Sequence, residues 1–316
     1  MLHTEVRGQN VLQTSRVLRE KNGHTSTQCK DCMIKIIGHI GVVVATIGGY
    51  AAMGGKIAVL NQPFELVIIF GSACAAFLTA NSTHVIKACF SDIKSIYKKD
   101  KYGKQEYLEL LSMLYLVFKT ARTKGWLALE QHIENPQDSE IFKKFPSFYA
   151  DHHAVTFLCD YLRIISLGAE KPHEIEALMD QEIDTQRESR DHTSHSVQTM
   201  ADGLPALGIV AAVLGVIKTM GAITEPPEVL GRLIGGALVG TFLGVWLSYG
   251  FVAPIASAMK ERNDAELKYY ICMKTSILAY LQGAAPQVAI EFGRKILLHD
   301  VQPTFLEVEE ATQNVT

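Results

Sequence analysis

The stretches 204–223, LPALGIVAAVLGVIKTMGAI, and 230–259, LGRLIGGALVGTFLGVWLSYGFVAPIASAM, decide the fold. Each stays apolar for the width of a bilayer core, which about 20 helical residues cross. Ile36 to Met53 and Phe64 to Val85 are two further stretches of the same kind. Lipid offers no hydrogen bonds to the backbone, so all four must satisfy their amides internally as helices. Between the second and third stretch lies a long charged segment. The expected class is therefore all-α: a polytopic membrane protein with four transmembrane helices and a helical cytoplasmic domain inserted between spans two and three.

Small residues recur every fourth position on these spans. Gly236, Gly240 and Gly244 form a doubled G-x-x-x-G in the fourth, and Gly208 and Ala212, with Ala211 and Gly215, do the same in the third. Gly41, Ala45 and Gly49 mark the first, and Ser72, Ala76 and Ala80 the second. Such faces let helices approach closely in lipid, and they serve ordinary packing and a pore wall between subunits equally well. No Asp, Glu or His stands in the middle of span three or four, although ionisable groups usually mark an ion path. Lys218 and Arg232 sit near the outer ends, where long side chains snorkel to the interface. Thr241 is the one hydroxyl well inside the fourth span, and a threonine there can simply bond its own backbone. Pro205 and Pro254 both fall at the cytosolic edge. Pro205 can be a first-turn proline, whereas Pro254 lies inside a helix, removing one backbone bond and kinking the chain; together they read as a hinge.

Orientation follows from the basic residues. Lys87, Lys94, Lys98 and Lys99 follow the second span, and Lys260 and Arg262 follow the fourth; the connector 54–63 has only Lys56, and 222–229 has none. The positive-inside rule turns the connectors outward and places both termini and the insertion in the cytosol. Within the insertion, Leu108, Leu111, Tyr115 and Phe118 recur at helical spacing, as do Ile175, Leu178, Met179 and Ile183. Asn135-Pro136 and Lys171-Pro172 break it into shorter helices, and the stretch after Pro172 is expected to run on towards the third span. Glu261 to Leu281 reads as a further helix and Gln313 onwards as a frayed end. The expected organisation is a disordered polar leader over 1–32, with Met33 the working first residue; a transmembrane hairpin over 33–86; a cytoplasmic helical domain over 87–203; a transmembrane pair over 204–259; and C-terminal cytoplasmic helices and tail over 260–316.

Other function classes find little support. With 30 basic against 33 acidic residues and a formal net charge of −3, the chain has no basic field for nucleic acid. Of its 6 cysteines only Cys29 and Cys32 form a C-x-x-C, without the second pair that a structural zinc needs, so free cytosolic thiols are expected. His152-His153 and His192-x-x-His195 read as solvated helix faces, and neither metal nor other cofactor is expected. No nucleophile elbow, Walker loop or dinucleotide fingerprint appears, so the chain is not expected to be an enzyme. A secondary transporter would show broken helices in related halves and an internal ionisable residue.

The strings 203–216, 238–244 and Tyr249-Gly-Phe-Val-Ala-Pro254 resemble the motility protein A family of the bacterial flagellar motor, and so do Gly48-Gly-Tyr50, Gln62-Pro-Phe-Glu-Leu66, Ile133-Glu-Asn-Pro136, Ile175-Glu-Ala-Leu-Met-Asp180 and Ala289-Ile-Glu-Phe-Gly-Arg-Lys295, in the family's order. The likeness covers Met33 to about Glu310. It implies a stator subunit of the inner (cytoplasmic) membrane: a homopentamer around two copies of motility protein B, whose single helix supplies the proton-binding aspartate. Ion entry is worth about 2.3 kcal/mol per charge per 100 mV, which such stators turn into torque on the rotor switch protein of the flagellar C-ring. The resemblance assigns rotor contact to Arg122 and Glu130, the hinge to Pro205 and Pro254, and the channel-facing hydroxyl to Thr241. Sodium-driven relatives carry a second threonine where this chain has Ala212, so the resemblance implies protons. Lys218 departs from the pattern, standing where a related chain can have His. The sister family of ExbB/TolQ-like energisers of outer-membrane processes is the alternative; the long insertion and the motifs around Arg122 and Glu130 favour the motor.

Overall fold

The computed structural model describes residues 33–168 and 171–315, and every regular element among them is helical. The expected leader and the Cys29/Cys32 pair lie outside the described residues. Two compact units are formed, one by residues up to Asp100 with Asp191–Lys260, the other by Lys101–Arg190 with Glu261–Thr316.

The first unit holds helices long and apolar enough to cross a membrane. Met33–Ala52 is the first span and Ile57–Ala80 the second, which after a short helix over Ile57–Leu60 starts again at Pro63, whose missing N–H costs nothing in a first turn. A π turn over Val67–Gly71 leads into Ser72–Ala80. The second span ends there, not at Val85. Asn81 takes an extended backbone and returns its side-chain amide to the Phe77 carbonyl at 2.8 Å, and Ser82 caps a new helix, Thr83–Ser95. Two residues with capping side chains thus stop a helix that hydropathy alone would carry on. The third span is the end of a single 50-residue helix, Pro172–Gly221, which confirms continuity after Pro172. The fourth runs as Pro227–Leu247, a π turn over Ser248–Val252, and Ala253–Leu281, so the helix expected from Glu261 is continuous with the span above it. Apolar side chains such as Ile37, Val44, Val213 and Leu238 stay exposed along these spans, as suits surfaces that meet lipid or neighbouring chains.

The second unit is a helical domain around one hydrophobic core. The helix Lys104–Lys124 buries Tyr107, Leu110, Leu111, Leu114, Val117 and Phe118, with Leu108 and Tyr115 packed only at its edge. His152–Ser166 buries Phe157, Leu158, Tyr161 and Leu162 against it. Ile175, Met179 and Ile183 are buried as their spacing predicts, while Leu178 is exposed. Tyr102 stacks on Tyr269 with ring centres 3.9 Å apart, and Phe118 on Tyr280 at 4.6 Å. The motif at 289–295 is a packing device: a side chain on Gly293 would stand 2.1 Å from the Ser276 hydroxyl, and buried Arg294 pairs with Glu291 and donates to the Pro303 carbonyl at 3.1 Å. The helix Phe305–Val315 continues past Gln313, so the end expected to fray there is helical.

Candidate functional site

Spans three and four meet backbone to backbone. A Cβ placed on Gly215 would stand 2.7 Å from that of Ala237; one on Gly208 would stand 3.0 Å from the Gly240 carbonyl; one on Gly244 would stand 2.7 Å from the Leu204 carbonyl. The glycine stripe read from the sequence is therefore the contact seam of this helix pair within one chain. Ala212 lies on it, its backbone nitrogen 3.2 Å from the place a Gly240 Cβ would occupy, and half-buried Thr241 follows Gly240 directly. The structure thus brings Ala212 and Thr241 to one level of the pair.

The Gly236–Gly240 half of the same seam is covered by the carboxylate of Glu65, to which spacing and hydropathy assign no role. Glu65 and Gln62 reach Gly236 and Gly240, where added Cβ atoms would stand 3.4 Å from Glu65 Oε1, 3.2 Å from Gln62 Nε2 and 3.1 Å from Glu65 Oε2. Glu65 Oε2 is buried without a hydrogen-bond partner among the described residues. Spans three and four are free of acids in their middles, yet the second span delivers one against them. The signal was available: an acid two residues inside an apolar span, behind Pro63.

At the other end of the seam stand the prolines. Pro205 lies well inside the helix Pro172–Gly221, so the first-turn reading does not hold. It leaves the Ala201 carbonyl without its helix donor. Pro254 follows the π turn Ser248–Val252, a widening that accommodates its ring against the turn before. On the side of span one, the Trp246 indole donates to the Thr46 hydroxyl at 3.2 Å, and Thr46 in turn donates to the Val42 carbonyl at 2.7 Å.

Arg122 and Glu130 belong to the second unit, the helical domain. Arg122 is in the last turn of Lys104–Lys124 and Glu130 in the first turn of Leu127–Glu134, either side of Gly125, whose φ of +80° reverses the chain. Both are exposed, and neither is ion-paired with another described residue. Arg122 edges a shallow cleft with Trp126 and Tyr280. Burial pushes the Tyr280 phenol above its ordinary range, and the charge of Arg122 offsets part of that rise. Leu127, between the two charges, is 80% exposed. The histidine pairs separate: His152 and His153 border a cleft with Tyr102 and Asp151, and His192 and His195 border a second cleft with Asn81 and Ser196.

Taken together, four membrane-length helices, a glycine-to-backbone seam ending at two prolines, and a helical domain carrying exposed charges define a polytopic helical membrane protein whose third and fourth spans pack as one wall. The Motility protein A N-terminal model matches residues 36–125, and the MotA/TolQ/ExbB proton channel family model matches 151–271. Motility protein A of Salmonella typhimurium (strain LT2) is 41% identical over 283 residues, 90% of this chain and 96% of its own length. The structure of the flagellar MotAB stator complex from Bacillus subtilis superposes with a TM-score of 0.66 at 26% identity, covering 84% of this chain and 94% of that one. The structure of C. jejuni MotAB gives a TM-score of 0.69 at 22% identity, covering 84% and 95%, and bears on the fold. The chain belongs to the MotA/TolQ/ExbB proton channel family, on its motility protein A branch.

Proposed function

We propose that the chain is a stator subunit of the bacterial flagellar motor and that, with motility protein B, it forms a proton channel coupling ion flow to torque. The observation that carries this is the seam of spans three and four: tight, glycine-faced, lacking a central acid of its own, and closed by two prolines at one end. Spans three and four supply shape and no central titrating group, and Glu65 reaches only the Gly236–Gly240 part of their seam, so the group that binds the ion comes from the helix they surround. Five copies around two partner helices complete the ring. Thr241 and Ala212 face the ion path, Pro205 and Pro254 transmit the response of the wall to protonation, and Arg122 and Glu130 meet complementary charges on the rotor switch protein. Both termini and the inserted domain lie on the cytosolic side of the inner membrane, where the rotor is. Expression together with motility protein B in a swimming bacterium deleted for its own stator genes tests this: motility returns, and motility that stays absent with both proteins in the membrane overturns it.

A further inference from the structure

A proline inside a helix leaves one carbonyl without a donor, and in a buried place that carbonyl needs a partner from elsewhere. Pro205 does this to Ala201, which is fully buried. The partner comes from the neighbouring span: the Ser248 hydroxyl donates to the Ala201 carbonyl at 2.7 Å, and Ser248 has 0% exposure. Two features of the sequence allow so short a side chain to reach a neighbouring backbone. Ser248 stands four residues after Gly244, on the row of Gly236, Gly240 and Gly244 along which the two helices touch. It is also the first residue of the π turn Ser248–Val252 that leads to Pro254. A serine hydroxyl has one hydrogen to give, and on a helix it commonly goes to the carbonyl one turn back. Here it goes across.

We infer that Ser248 is a positioning residue of the channel wall: its hydroxyl ties the carbonyl freed by Pro205 to the π turn preceding Pro254, so that the two proline interruptions bend as one unit. This rests on the reading of Pro205 and Pro254 as hinges. The tie is exchangeable. When the helices shift, the same hydrogen can turn to the carbonyl of its own preceding turn, which gives the wall two discrete arrangements instead of a continuum of bends.

The test uses the complete complex with motility protein B in a strain without other stators. Torque per unit is read from bead steps at high load, and unit number from a fluorescent tag. Ser248→Ala is expected to leave unit number unchanged and to lower torque per unit by about twofold or more, the scale set by losing one hydrogen bond. Ser248→Thr, which keeps the hydroxyl, restores it. The melting midpoint of the purified complex gives a second reading that survives loss of rotation: Ser248→Ala lowers it by about 2 to 4 °C in the native background but not on top of Pro205→Ala, where the new N–H already serves Ala201. Unchanged torque per unit in Ser248→Ala, failure of the threonine to restore it, or additive losses of midpoint overturns the inference. If Ser248→Ala does not assemble, the threonine variant and the midpoint cycle, measured against Ser248→Cys, decide. Pro205→Ala alone with native torque per unit instead overturns the hinge reading.

Discussion

Gly244 and Leu204 touch through their backbones: a methyl added to the glycine would stand 2.7 Å from the leucine carbonyl oxygen and 2.8 Å from the Gly208 Cα. Neither neighbour is a flexible side chain that can swing aside. Gly244→Ala must therefore push the two spans apart, at a cost of about 1 to 3 kcal/mol. Gly203→Ala, with nothing within 4 Å of the added methyl, lacks that penalty and gains helix propensity. The expected result is a lower melting midpoint and a lower yield of assembled complex for Gly244→Ala, and neither for Gly203→Ala. Equal behaviour of the two would show that Gly244 does not hold the spans in close contact.

Pro254→Leu returns an N–H to the helix just after the π turn Ser248–Val252, which allows the Gly250 carbonyl its regular partner and lets the turn tighten. The substitution removes no ion ligand and touches no glycine of the seam. Complex assembly should stay within about twofold of native while rotation under load is abolished, because the change acts on shape alone. Ordinary torque in a tethered-cell assay would contradict the hinge role.

Arg122 and Glu130 carry exposed charges, unpaired among the described residues, on either side of Gly125. Within the folded chain such charges contribute little, so reversing both, Arg122→Glu with Glu130→Arg, should leave the melting midpoint unchanged. Against a rotor of complementary charge the same reversal should cut motility at native expression by about twofold to fivefold. Swimming at native speed at every ionic strength would defeat this prediction.

The legibility of these features in the sequence differs from residue to residue. Apolar length gave the four spans, and the every-fourth-residue glycines gave the seam, because both are local periodicities. The end of the second span was misplaced since hydropathy does not register that Asn81 and Ser82 return their side chains to the backbone. Glu65 was passed over because its meaning lies in contact with Gly236 and Gly240, some 170 residues further along the chain. Ser248 was invisible for the same reason: a serine in an apolar span announces nothing until a proline on another helix is seen to have freed the carbonyl it meets. Arg122 and Glu130 stood out by resemblance alone, as two charges among 63.

The helical domain has its own pH dependence. Asp151, only 8% exposed, is pushed up by burial, but hydrogen bonds from Tyr102 and Lys101 and the lysine charge outweigh this and hold the carboxyl below its ordinary value of 3.8. A carboxyl depressed in the folded state stabilises it above the unfolded value and loses that contribution as pH falls through the folded one. Its contribution to the midpoint should therefore be full and independent of pH in neutral solution and be lost only below pH 3.8. Asp151→Asn should lower the neutral midpoint and flatten the acid limb; an acid limb identical to native would show that Asp151 does not govern it.

On the proposed function, ion choice turns on Ala212, whose backbone nitrogen lies beside Gly240, the neighbour of Thr241, and where a hydroxyl would offer an oxygen to a hard cation. Sodium requires several oxygen ligands, whereas a proton requires only an acceptor, so a wall with one hydroxyl at this level favours protons. Motility should follow the proton gradient and persist when sodium is replaced by potassium at constant proton-motive force. Ala212→Thr adds the missing hydroxyl beside the Gly240 seam, where the Ala212 backbone nitrogen already lies 3.2 Å from the place a Cβ would occupy. Assembly of the variant is measured beside its speed, so that a new sodium dependence in assembled complexes reports ligand number and not packing. Loss of native motility on sodium removal would count against protons, and an Ala212→Thr variant that swims equally well with and without sodium would show that this position does not set the choice.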